Sequence, residues 1–261
     1  MKLGVFSFNT EYTIRADELA IAAEERGFES IWFPEHTHIP ASRETAYPGG
    51  GPLPKEYIHM SDPFTSAAAA AVVTKTIKIG TGVCLVIEHD PLALAKTVAT
   101  IDRLSNGRFI LGVGAGWNAE EMENHGTPYS KRWKVLEERV KAMKALWTQE
   151  EASFKGDWVN FEKVWSYPKP VQKPHPPVII GTFGSKWGCQ RVADYAEGWI
   201  PIDGLMTSLD DSIADLHARL RENGRKPEDA PISMFDIYET SEDDLKSCLL
   251  YTSDAADDSL R

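Results

Sequence analysis

Residues 107–121 read GRFILGVGAGWNAEE. A short apolar run (Phe109, Ile110, Leu111) enters a turn with glycine at Gly112, Gly114 and Gly116, and Trp117, Asn118 and acids follow. Alternate glycines leave backbone bare where another group must come close. No Gly-Lys-Ser/Thr ends the turn, so it is not a P-loop, and the third glycine of a dinucleotide fingerprint would fall at Trp117. A buried strand that runs into a glycine-rich loop with an aromatic and an amide suits the rim of a parallel barrel, where such folds keep their chemistry.

Outward from this stretch, strands and helices alternate. Residues 3–8 predict a first strand, and 14–26 an amphipathic helix stopped by Gly27. A second strand over 30–33 ends in Pro34, Glu35 and His36, and a long polar loop runs to Met60. Asp62-Pro63 and Asp90-Pro91 each read as an N-cap followed by proline in the first turn. The strand between those two helices is expected over 77–86, and 109–113 is the fourth. A charged helix follows over 131–147. Regularity breaks at about 150–177, where KGDW suggests a hairpin turn and five prolines from Pro168 to Pro177 forbid a helix. Strands over 178–180, 199–202 and 232–237, with helices opening at Gly184-Ser185, Leu209 and Ser241, complete the series.

The pattern predicts an α/β fold with a parallel sheet. Seven units with long loops after the strands favour a (β/α)8 barrel that lacks its eighth unit. The barrel domain is expected over 1–247 with 150–177 as an insertion, and 248–261 as a non-native or disordered tail. The chain has 261 residues, near the roughly 250 typical of that barrel. No apolar run approaches the ~20 residues of a membrane span. No signal peptide is read at the start, and three scattered cysteines favour a reducing compartment, hence the cytoplasm. A net charge of −11 argues against nucleic acid or an anionic membrane as main partner.

Four segments converge on one family: SIWFPEHTHIP (30–40), IKIGTGVCLV (77–86), DPLALAKTVATIDRLSNGRFILGVGAGWNAEEMENHG (90–126) and ADYAEGWIPI (193–202). In order and spacing they resemble the bacterial luciferase-like flavin and deazaflavin oxidoreductases, most closely the coenzyme F420-dependent subgroup. The resemblance spans residues 2 to about 246. It implies a TIM barrel that binds F420 or FMN at the C-terminal ends of the strands, as a homodimer acting on a small molecule.

The same resemblance assigns candidate residues. His36 and Glu35 would face the ring, with His36 trading a proton as hydride moves; a rim histidine fixed by a carbonyl is the plainer alternative. No metal site is expected, because His36-x-His38 lacks converging third and fourth donors. Thr81, Gly82 and Val83 would hold a cis peptide at Gly82–Val83, against the alternative of an ordinary bulge. Gly114, Gly116, Trp117 and Asn118 would contact the ring or its ribityl chain. Asn9 offers an amide donor. Gly181, Gly184, Ser185 and Lys186 form a loop and helix start suited to a phosphate, or simply a capped helix. Glu120 and Glu121 read as capping or solvated acids. Phe8, Trp32 and Trp117 are expected to line an apolar pocket. The functions that follow are hydride transfer with F420, oxygen activation with FMN, or a truncated, non-catalytic flavin-binding barrel.

Overall fold

The computed structural model describes residues 2–202 and 208–235. The elements that build the barrel wall are β1 (Gly4–Phe6), α1 (Ala16–Glu25), β2 (Ser30–Phe33), α2 (Pro63–Val73), β3 (Lys78–Thr81), α3 (Pro91–Leu104) and β4 (Phe109–Val113). Next come α4 (Ala119–Asn124), α5 (Arg132–Thr148), β5 (Ala152–Lys155), β6 (Asn160–Val164), β7 (Val178–Gly181), α6 (Lys186–Tyr195), β8 (Trp199–Ile200) and α7 (Leu209–Glu222). Six strands form one parallel sheet in the order β1-β2-β3-β4-β7-β8, while β5 and β6 make a separate antiparallel pair. Strand order follows chain order, so every crossover is a βα unit, and the result is a partial barrel. Parallel bridges from Trp199 to Ile232 and from Ile202 to Phe235 continue the order at the place expected for a seventh wall strand. The rest of that strand, the helix expected from Ser241 and the tail 248–261 lie outside the described residues.

Apart from β1, the strands of the parallel sheet are almost wholly buried, which is why they read as short apolar runs rather than as alternations. Ile31, Ile79, Phe109, Leu111 and Val178 are fully buried. α2 packs on α1 and α3, and Ala67, Ala70 and Ala71 of its alanine run are buried. Both capping aspartates work as expected: Asp62 accepts from the Thr65 N–H, and Asp90 from those of Leu92 and Ala93.

Two expectations change. Trp32 does not line a pocket. Its indole fills the barrel interior, and a Cβ at Gly80 would lie 2.3 Å from it. β3 stops at Thr81 instead of running to residue 86, because the chain leaves the sheet at Gly82 and rejoins β4 only through a bridge from Cys84 to Val113.

Carboxylates fasten the connecting segments, and Asp102 and Glu24, late in their helices, do so at the N-terminal face, the end of a barrel that serves stability. Asp102, fully buried on α3, accepts from the N–H groups of Val171 (2.7 Å) and Gln172 (3.0 Å) and from Gln172 Nε2 (2.6 Å). It thereby pins the proline-rich strap. Glu138 of α5 accepts from the N–H groups of Asp157, Trp158 and Val159, and so closes the β5–β6 turn. Glu24 receives the N–H groups of Lys75, Thr76 and Ile77 at the entry to β3. Burial opposes its charge, but these donors outweigh it and hold the carboxyl down at about 2, from an ordinary 4.5.

A folded-state value below the unfolded one gives stability that is complete above pH 4.5 and drains as pH falls toward 2. Glu24→Gln is therefore expected to lower stability by about 1–2 kcal/mol near neutrality. The gap from wild type should close as pH falls through that window, as read by urea unfolding at stepped pH.

Candidate active site

Because the sheet is parallel, the segments that leave β2, β3, β4 and β7 all emerge at one end. β2 delivers Pro34, Glu35 and His36 there. The His36 side chain is only 6% exposed, and its Nδ1 lies 2.6 Å from Glu121 Oε2. The other carboxylate oxygen accepts from the Thr37 N–H at 3.1 Å. The imidazole packs against both Tyr57 and Trp117, with ring centroids 5.3 and 5.6 Å away, and those two rings also meet each other at 6.3 Å. Tyr47 joins this aromatic wall, 5.2 Å from Tyr57 and 5.9 Å from Trp117, and its hydroxyl lies 3.3 Å from that of Tyr57. Burial and Tyr47 push the Tyr57 hydroxyl well above its ordinary range, so it stays protonated.

Tyr47 and Tyr57 come from the loop between β2 and α2, Trp117 from the turn between β4 and α4, and α4 fastens the β2–α2 loop. Glu120 Oε1 accepts from the Glu44 N–H (2.7 Å) and the Thr45 N–H (3.1 Å). Hydrogen bonds from Thr45 and from the Glu44 backbone hold its carboxyl at about 2. Arg43 lies over the Trp117 ring at 5.7 Å. Phe8 packs on Tyr57 at 5.3 Å, beside the same wall.

Across the mouth, the Gly82–Val83 peptide is cis. The Val83 side chain projects between β4 and β7: a Cβ at Gly114 would lie 2.6 Å from it, and one at Gly181 2.9 Å. Those two glycines are bare for Val83, which forms a raised apolar floor. Gly82 faces inward beneath the Phe235 ring. Gly116 has φ +66, and a Cβ there would face Met122, Leu85 and Ile87, so its missing side chain serves the turn into α4.

The other predicted site residues divide between positions already engaged in the fold and open ones. Glu35 does not join His36. Its Oε2 accepts from the Leu85 N–H at 2.6 Å, and its Oε1 lies 2.7 Å from His89 Nε2. Consecutive residues at a strand's end face opposite ways, so β2 can present only one of this pair to the mouth. Glu35, Cys84 and His89 gather their donor atoms within 4.8 Å, but the carboxylate is already spent on Leu85 and His89. Thr81 donates its hydroxyl to the Gly112 carbonyl, and the Asn9 amide donates to Ser66 Oγ. Asn118 caps α4 through its Oδ1, while its Nδ2 is buried with no partner among the described residues. Ser185 caps α6 by accepting from the Gly188 N–H, and Ser185 and Lys186 are exposed. Gly181 and Gly184 lead into that start.

Glu121 is the functional residue that sequence reasoning missed. It reads as a solvated acid, yet it is 1% exposed and meets His36 across 85 positions of sequence. No local signal marks it: it is the third residue of α4, where an acid ordinarily serves the helix start. Nearby Glu88 is also buried: burial, then Glu121 and Glu35, push its carboxyl up to about 9, so it carries a proton at neutral pH.

The comparisons agree with this architecture. The family model described as luciferase-like monooxygenase matches residues 1–244. An uncharacterised protein of Mycobacterium tuberculosis is 45% identical over 203 residues, 77% of this chain and 72% of that protein. An F420-dependent glucose-6-phosphate dehydrogenase of Amycolatopsis mediterranei is 34% identical over 64% of this chain and 47% of its own length. An FMNH(2)-dependent dimethylsulfone monooxygenase of Pseudomonas putida is 30% identical over 61% of this chain and 44% of its own. In fold, the monooxygenase RslO1 of Streptomyces bottropensis superposes with a TM-score of 0.75, covering 90% of this chain and 70% of that one at 24% identity. With nearly its whole described length matched, the chain belongs to the luciferase-like monooxygenase family, whose members include both F420- and FMN-dependent oxidoreductases.

Proposed function

We propose that this protein is an F420-dependent oxidoreductase that moves a hydride between the deazaflavin and a small organic alcohol or carbonyl. The observation that carries the reading is His36: a buried imidazole at the strand ends, bonded to one carboxylate and walled by Tyr57 and Trp117. The family relationship with an F420-dependent glucose-6-phosphate dehydrogenase supports the choice of cofactor.

The residues present fit a flat ring. Val83 supplies an apolar floor, and the buried Asn118 amide, without a partner among the described residues, is a donor suited to a ring or ribityl oxygen. The start of α6, where a helix presents N–H groups and where Lys186 is exposed, suits a phosphate. Bound there, the deazaflavin would supply a carbon that gives or accepts the hydride, and the protein's share is positioning and electrostatics. His36 takes the hydroxyl proton of an alcohol as its C–H hydride leaves, or returns a proton to the oxygen of a carbonyl in the reverse direction. Tyr47, Tyr57 and Trp117 keep water from the imidazole. Trp117 puts an aromatic face, not an acid, beside His36, so the substrate is read as apolar or cyclic rather than a sugar phosphate.

The second reading, an FMN-dependent monooxygenase, draws on the dimethylsulfone monooxygenase relative. An assay separates the two. Reduced F420 should be consumed at matched rates under air and argon with a panel of cyclic ketones, without oxygen uptake. Oxygen consumption with reduced FMN and none with F420 would replace the first reading by the second.

A further inference from the structure

We propose that Glu121 is the positioning residue of His36: it holds the imidazole as the Nδ1–H tautomer, and so leaves Nε2 as the atom that exchanges a proton. The use made of Nε2 rests on the reading above; the tautomer does not.

The geometry supplies the argument. A carboxylate oxygen 2.6 Å from Nδ1 can only accept, so Nδ1 must carry hydrogen. Nε2 makes no hydrogen bond among the described residues, which leaves it the open atom of the ring. Glu121 cannot swing away cheaply. Its second oxygen accepts from the Thr37 N–H, the residue that follows His36, so carboxylate and histidine backbone form one closed unit. The Glu121 N–H in turn bonds Asn118 Oδ1 at 3.4 Å.

The neighbouring acids are otherwise engaged. Glu35, adjacent in sequence, is committed to Leu85 and His89. Glu120 is committed to the loop at Glu44 and Thr45. Glu88, kept protonated by burial and by Glu121 and Glu35, adds no second anion. One turn of chain thus holds the ring (Glu121), walls it (Trp117) and latches its cover (Glu120). A free imidazole prefers the hydrogen on Nε2, so a protein that needs Nε2 as a base must enforce the other form. A histidine ring atom fixed by its partner on the opposite nitrogen is the general means of doing so.

The test is long-range proton–nitrogen NMR of protein carrying 15N-histidine, above the titration range, without cofactor. His36 should show a protonated Nδ1 and a bare Nε2. Glu121→Leu should convert most of the signal to the Nε2–H form, and Glu121→Gln should give a mixture, because its amide can either accept or donate. Glu123→Gln, exposed on α4, should leave the signal unchanged. With the substrate in hand, Glu121→Leu should lower kcat by about tenfold or more, with KM changed less than threefold and Glu121→Gln partly restoring kcat. An Nε2–H form in the wild-type protein overturns the proposal, even if every variant fails to fold. An unchanged tautomer in folded Glu121→Leu overturns it too. If the tautomer is as stated but neither cofactor binds, the functional reading fails and the positioning role stands.

Discussion

Asp102→Ala should lower folding stability by about 3 kcal/mol, which corresponds to a fall of roughly 6–12 °C in melting temperature for a domain of this size. The carboxylate is fully buried and receives three donors from Val171 and Gln172. Removing it strands those donors beside α3 and frees the proline strap from the barrel. The loss is not mainly apolar, since alanine removes little hydrocarbon. Asp102→Asn keeps one acceptor, so it should cost about half as much. Thermal unfolding followed by circular dichroism checks both, and a shift under 2 °C for the alanine variant would mean that water replaces the carboxylate at no cost.

The largest effect on chemistry is expected at His36. His36→Ala should lower turnover by about 10²- to 10⁴-fold, the usual worth of a positioned acid–base group. Cofactor affinity should change by less than about tenfold, because the floor at Val83 and the N–H groups of α6 lie on other strands. Stopped-flow oxidation of reduced cofactor, with binding measured separately by fluorescence, distinguishes the two effects. Loss of binding with turnover per bound cofactor unchanged would move His36 from chemistry to packing.

Much of the fold was legible because its signals are local. Asp62-Pro63 and Asp90-Pro91 announce helix starts with their own side chains. The strand over residues 109–113 is a buried apolar run closed by glycine, and it forms at those positions. What escaped is long-range. Nothing near Glu121 in sequence names His36, and nothing near Asp102 names Gln172, 70 positions on. The glycines of residues 112–116 correctly signalled close approach, but sequence cannot say of what. Gly114 accommodates the Val83 side chain, and Gly116 faces Met122. Trp32 looked like a pocket aromatic because large aromatic side chains suit both cores and pockets. Its fate was decided by bare backbone at Gly80, a neighbour two strand positions from the expected site.

The same limit applied to the two consecutive residues Glu35 and His36. Strand geometry sends them to opposite sides, yet sequence alone cannot choose which side is the mouth. The partners decide it: His89 and Leu85 on one side, Glu121 and the aromatic wall on the other.

The central claim is that the mouth beside Val83 and His36 takes a deazaflavin. Equilibrium titration of the purified protein with F420 and, separately, with FMN tests it most directly. The account predicts saturable F420 binding that is at least tenfold tighter than FMN binding, and that is abolished by Gly114→Leu, whose side chain would displace Val83. Tighter binding of FMN, or F420 binding that Gly114→Leu leaves intact in a folded protein, would contradict it.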